Sequence, residues 1–167
     1  MRTVKAEPLS VEQFFPFGFF AGMLNPKTEK MGRRPIEFYR DMLQQDLGGA
    51  AGVSFSVCRV EKRPPVIDVT EYHTSVGEGI LPLDADILIH VGPATPADGS
   101  VPLDKMRVFR VPRGTLVVLR PGVWHHAPFV MKGRVANVLI VLPERTYAND
   151  CRVFPLAPAD QIRITMF

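Results

Sequence analysis

Cysteine, tryptophan and histidine are scarce in this chain of 167 residues, which has two, one and four of them respectively. Cys58 and Cys151 sit in no CxxC or CxxH arrangement, which argues against a zinc knuckle and a disulfide framework and leaves two buried free thiols as the expectation. Long hydrophobic runs are missing too. The apolar stretch from Phe14 to Leu24 follows Arg2 and Lys5 but is broken by Pro16, Gly18 and Gly22, and it falls short of the roughly 20 residues a helix needs to cross a bilayer. A cytoplasmic protein with no membrane partner is expected. An excess of one charge is also lacking, since 20 Lys and Arg stand against 17 Asp and Glu for a net +3. The basic residues are scattered, without the aromatic-studded stripe of single-strand binders, which speaks against nucleic acid while leaving room for a small anionic ligand.

No repeat of fixed period, low-complexity tract or long linker breaks the chain, and Pro-Ala-Thr-Pro-Ala-Asp-Gly-Ser at 93–100 reads as one surface loop. A chain of this length suits a single domain, which can bury roughly 70% of its unfolded surface. The expected division is one domain over 1–167, with a helical or loop segment at 1–50, a barrel at 51–156 and a tail at 157–167.

Ser10 followed by Gln13 resembles a capping box, so Ser10 to Phe15 is expected to form one helical turn that Pro16 and Gly18 end. Polar and basic residues from Asn25 to Arg34 read as loop. From Pro35 to Leu47 the residues Ile36, Tyr39, Leu43 and Leu47 recur at helical spacing, with Pro35 at a first-turn position and Gly48 and Gly49 as a stop, which predicts a helix. After Gly52 the pattern changes to short β-branched runs between Gly, Pro and Asp turns: Val53 to Val60, Val66 to Tyr72, Ile87 to Val91, Met106 to Val111, Thr115 to Leu119 and Val135 to Leu142. The expected class is therefore mainly β, a sandwich or barrel preceded by one or two short N-terminal helices.

In VIDVTEYHTS, residues 66–75, alternation puts Ile67, Val69, Glu71 and His73 on one face. If the two aliphatics face the interior, Glu71 and His73 do too, and an unpaired charge there costs several kcal/mol unless a metal or partner compensates it. In RPGVWHHAPF, residues 120–129, His125 and His126 adjoin the only tryptophan, and alternation allows one of the two to face inward. His90, between Ile89 and Val91, reads as a hydrogen-bonded structural histidine.

The stretches EYHTSVGEGILPL (71–83) and GTLVVLRPGVWHH (114–126) resemble the two cupin motifs, with Glu71 where cupins usually carry a histidine. More closely, FFPFG, SVCRVEKRPP, EYHTSVGEGILPL, GVWHHAPF and the late Asn149-Asp150 pair resemble, in order and spacing, the ureidoglycolate lyase family. Glu78 departs from the glutamine usual there. The resemblance implies a cupin-like jelly-roll β-barrel and cleavage of ureidoglycolate, or a related 2-hydroxy acid amide, to glyoxylate and urea. It also implies a divalent metal (nickel, zinc or manganese) held by His73, Glu78 and His125, with Glu71 as fourth ligand or base. His126 becomes a candidate acid or a partner that orients a ligand. Arg59 matches the family's arginine in its strand and is a candidate clamp for the substrate carboxylate, although Glu61 or Asp68 could instead pair with it. Trp124 is a candidate substrate contact, or core. A metal-dependent isomerase or oxygenase and a non-catalytic anion-binding cupin are the alternatives. The phenylalanine-rich N-terminus and the apolar end IRITMF suggest covered edges across a two-fold axis, and so a homodimer.

Overall fold

Alternation of apolar and polar side chains builds most of the elements in the computed structural model, which describes residues 1–96 and 99–166. Ala97 and Asp98 of the expected surface loop, and Phe167 of the tail, lie outside the described residues. The first half of the chain forms β1 (Arg2–Pro8), α1 (Val11–Phe14), β2 (Gly18–Gly22), β3 (Met31–Arg33), β4 (Ile36–Phe38), β5 (Val53–Glu61), β6 (Val66–Ile67), β7 (Val69–Tyr72) and β8 (Glu78–Pro82). The second half forms β9 (Ile87–Val91), β10 (Arg107–Val111), β11 (Thr115–Leu119), β12 (Phe129–Val130), β13 (Val135–Pro143), α2 (Thr146–Asn149), β14 (Arg152–Pro155) and β15 (Ile162–Thr165).

One sheet has the order β12-β9-β10-β1-β15-β6 and the other β2-β11-β8-β13-β5, with β14 pairing β7 and β3 pairing β4 apart from them. The expected mainly-β, cupin-like barrel is what forms. A buried cluster takes Ile80, Val117, Leu119, Val138 and Ile140 from the second sheet and Ile87, Ile89, Val91, Phe109 and Val111 from the first, so the two sheets face each other across it. A second cluster, with Ala6, Leu88, Val108, Trp124, Ile162 and Ile164, lies on the other face of the first sheet. All five residues of β9 are buried as a result, which is why that strand reads as an apolar run interrupted only by His90.

Ser10 caps α1 as expected, its hydroxyl accepting from the Gln13 amide at 3.3 Å. The first fifty residues differ from the expected helix-and-loop segment, because β1 and β2 are strands of the two main sheets. β1 pairs in parallel with β15 through its first half and with β10 through its second, so its polar outward residues belong to a strand that only distant partners complete. The tail likewise becomes β15, and its Ile162 and Ile164 are buried in the chain's own core, unavailable for covering a partner's edge.

The helix expected at 35–47 is absent. Ile36–Phe38 pairs with β3 as a hairpin, Asp41 takes a left-handed φ of 53°, and residues 39–47 have no regular secondary structure. Ile36 is 78% exposed and Tyr39, Leu43 and Leu47 are only half-buried, so the helical spacing builds no fully buried apolar face, and a helix this short is marginal by itself. The Gln45 amide instead donates to the carbonyls of Gly77 (2.9 Å) and Val141 (2.8 Å), and the Gly77 N–H donates to the Asp46 carbonyl at 2.8 Å. The segment is a strap stitched across the ends of β8 and β13.

Candidate metal centre

A turn places the histidine pair. Gly122 has a φ of 78°, which an L side chain rarely adopts, and its N–H donates to the His73 carbonyl at 2.6 Å. Trp124 then exchanges backbone bonds with Gly92 (2.8 and 3.0 Å), and His125 does so with Glu71 (2.6 and 2.8 Å). Neighbouring residues thus pair with strands on opposite sides, so the Trp124-His125 dipeptide is a two-residue strand wedged between the ends of β9 and β7. Alternation along it answers the histidine pair. His125 turns toward Glu78, while Trp124 and His126 turn away from it.

Glu78 heads β8 on the same face as the buried Ile80, and its Oε2 lies 3.0 Å from His73 Nε2 and 2.9 Å from His125 Nε2. Glu71 joins them: one ligand atom each from Glu71, His73 and His125 lie within 4.8 Å of one another. His73, Glu78 and His125 are all buried, and Glu71 is half-buried. The four residues singled out from two distant stretches of sequence therefore meet.

Hydrogen bonding decides what the cluster can do. His73 Nδ1 donates to the Asp150 carbonyl at 2.7 Å and His125 Nδ1 to the Val123 carbonyl at 2.8 Å. With both Nδ1 protons used, each neutral ring turns an Nε2 lone pair toward the same carboxylate oxygen. Three electron pairs converging at about hydrogen-bond distance repel unless a cation sits among them. Two imidazoles and a carboxylate suit a divalent transition metal such as nickel, zinc or manganese. Without an ion that role falls to a proton. Burial opposes charge on both groups, yet the imidazoles of His125 and His73 hold the Glu78 carboxyl down to about 2, and Glu78 raises the pKa of His125.

Residues that sequence reasoning did not place at the site surround it. The Asp150 carboxylate accepts from the Thr74 and Ser75 N–H groups, both at 2.8 Å, fixing the turn after His73. The Asn149-Asp150 pair was the only signal for it. Cys151 Sγ donates to Glu71 Oε2 at 3.4 Å, and burial together with Glu71 pushes its thiol up to about 12. Neither cysteine is fully buried as expected; both are half-exposed free thiols, and burial and then Glu78 raise the pKa of Cys58. The Tyr147 ring lies 6.4 Å from the His73 ring, its phenol pKa raised by burial and by the two glutamates.

Two expected contacts are not brought in. Arg59 points outward with Val53, Phe55 and Val57, and its guanidinium meets Glu61 at 2.7 Å where both side chains are mostly exposed. This edge strand turns Cys58 and the buried Val60 inward and leaves Phe55 70% exposed. Trp124 is fully buried between Tyr72 (4.6 Å) and Phe154 (4.9 Å), its Nε1 donating to Thr95 Oγ1 at 3.1 Å, so it is core on the side away from Glu78. His126 is half-buried with a buried Nδ1 that has no hydrogen-bond partner among the described residues.

The ureidoglycolate lyase family model matches residues 1–163. A ureidoglycolate lyase of Rhodobacter capsulatus is 32% identical over 83% of this chain and 86% of its own length, and one of Burkholderia mallei is 28% identical over 84% and 82%. Among solved structures, a dTDP sugar isomerase from Desulfovibrio desulfuricans G20 is similar at 12% identity and a TM-score of 0.49, covering 87% of this chain and 89% of that one.

Proposed function

Because the chain belongs to the ureidoglycolate lyase family, we propose that it cleaves ureidoglycolate to glyoxylate and urea with a divalent metal ion held by His73, Glu78 and His125. The observation that carries the metal assignment is the convergence of two Nε2 atoms on Glu78 Oε2 while both Nδ1 atoms donate to backbone carbonyls.

Ureidoglycolate carries a hydroxyl, a carboxylate and a ureido nitrogen on one carbon. Cleavage removes the hydroxyl proton, the oxygen becomes the aldehyde carbonyl as the C–N bond breaks, and the departing nitrogen keeps the electron pair and takes up a proton. No covalent nucleophile is needed. A bound divalent ion supplies Lewis acidity toward the substrate's carboxylate and hydroxyl oxygens. Glu71, half-buried beside both imidazoles and tied to His125 by two backbone bonds, takes the hydroxyl proton. The Glu71 carboxyl so protonated returns that proton to the urea nitrogen, and His126, whose ring turns away from Glu78 but lies close enough to feel the Glu71 charge, steadies that carboxylate. Arg63, which donates to the Ala127 carbonyl at 2.9 Å, adds positive potential near His126 for an anionic substrate.

We read the chain as a cytoplasmic homodimer, supported by the exposed apolar face of Val53, Phe55 and Val57 on the edge strand β5; light scattering measures the mass. Purification without chelator, metal analysis, and assay of urea and glyoxylate release from racemic ureidoglycolate test the reading. Metal-loaded protein without turnover refutes the lyase. His125→Ala is expected to lose the ion, whereas His126→Ala keeps it and turns over slowly.

A further inference from the structure

Behind the metal centre, on the face of β7 away from Glu71 and His73, a polar contact crosses otherwise apolar packing. Thr70 is fully buried, and its Oγ1 donates to the His125 carbonyl at 3.2 Å. That carbonyl already accepts from the Glu71 N–H at 2.6 Å. His90, on β9 and 1% exposed, places its Nε2 3.3 Å from the same Thr70 oxygen.

The proton count fixes the directions. Threonine has one hydroxyl proton, and a carbonyl can only accept, so that proton goes to His125 and the Thr70 oxygen accepts from His90 Nε2–H. The His90 ring is then the Nε2–H tautomer, and its Nδ1 is a bare lone pair. This agrees with Nδ1 having no partner among the described residues. Burial lowers the His90 pKa well below its usual value, which keeps the ring neutral and the donor in place.

The contact spans the wedge described above. Trp124-His125 is held on one side by Gly92, two residues past His90, and on the other by Glu71, next to Thr70. From the structure we infer that Thr70 and His90 are positioning residues for the metal centre, forming a strut from β9 to β7 that sets the separation of Glu71 from His125. Neither touches metal or substrate. An alanine or valine at position 70 would leave the His125 carbonyl with one donor and let the wedge slide between its neighbours. The role rests on the metal reading given under Proposed function, but the strut itself has a readout that needs no metal.

The test uses the full chain with Thr70→Val, which removes the hydroxyl and keeps the shape, and Thr70→Ser, which restores the hydroxyl. Nickel(II) titration is expected to show affinity about tenfold weaker for Thr70→Val and near the parent value for Thr70→Ser, the size usual for partners that orient a ligand. His90→Phe should weaken the metal in the same direction. Amide hydrogen exchange on chelated protein is read in parallel, with Val108 and Phe109 of β10 as internal reference. Selective loss of protection at Glu71 and His125 in Thr70→Val supports the strut even if the parent chain binds no nickel, an outcome that would sink the metal reading alone. Protection lost uniformly across β10 and the wedge, or unchanged protection at Glu71 and His125, overturns it, as does a nickel affinity undiminished in Thr70→Val when the parent chain binds the ion.

Discussion

Replacing Glu78 by glutamine separates the metal site from the fold that carries it. The carboxylate is 6% exposed, and one of its oxygens lies 2.9 and 3.0 Å from the two Nε2 atoms. Removing the charged partner of a buried pair costs about 3–5 kcal/mol. At about 1.4 kcal/mol per tenfold, Glu78→Gln should bind a divalent ion at least about 100-fold more weakly than the parent chain. The chelated protein should behave differently. Both Nδ1 protons are already committed to the Asp150 and Val123 carbonyls, so both Nε2 atoms accept, and an amide nitrogen in place of Oε2 can donate one N–H to each. The metal-free variant is therefore expected to lie within about 1 kcal/mol of the metal-free parent, with no charge left to bury. Glu78→Ala lacks that compensation and should melt lower. Calorimetric titration with nickel(II) after chelation, together with thermal melts with and without the ion, reads both effects. A glutamine variant that binds nickel as tightly as the parent would refute Glu78 as a ligand, and one that melts far below it would refute the assigned tautomers.

Asp150→Ala removes the acceptor for the Thr74 and Ser75 N–H groups and should lower stability by about 1 kcal/mol and metal affinity about tenfold; unchanged affinity by titration would separate that turn from the His73 orientation. Asp86 is held below the ordinary carboxylate range chiefly by the Arg113 N–H, with Arg110 assisting against partial burial, so its contribution exists above the unfolded pKa of 3.8 and fades as pH falls through the folded value. Asp86→Ala should accordingly melt below the parent at neutral pH and converge with it in strong acid. Arg59→Ala should change the melting free energy by about 0–1 kcal/mol and leave KM unaltered, because its partner is the exposed Glu61; a raised KM would return Arg59 to the substrate.

Strands whose burial is local were legible in the sequence. Ile87–Val91 and Thr115–Leu119 have the bounds expected from their β-branched runs, and Ser10 caps α1 because an N-cap depends on three neighbouring residues. β1 and β15 were not legible, since each becomes a strand only by pairing with residues far along the chain. The helical spacing of Ile36, Tyr39, Leu43 and Leu47 misled for the same reason, as the segment is held by Gln45 on Gly77 and Val141 rather than by an apolar face.

At the site, period-two alternation placed Glu71 beside His73, and the family resemblance added Glu78 and His125. Only Glu71 and His73, two residues apart, follow from the geometry of one strand; Glu78 opens β8 and His125 lies 47 residues beyond it, so their meeting had no local signal. Which way β5 faces, that Trp124 packs behind the centre, that Asp150 and Thr70 orient its ligands, and that two imidazoles turn bare lone pairs onto one oxygen were decided by tertiary structure alone. A hydrogen bond's direction depends on every other partner of both groups, and those partners come from strands that meet only when the two sheets close.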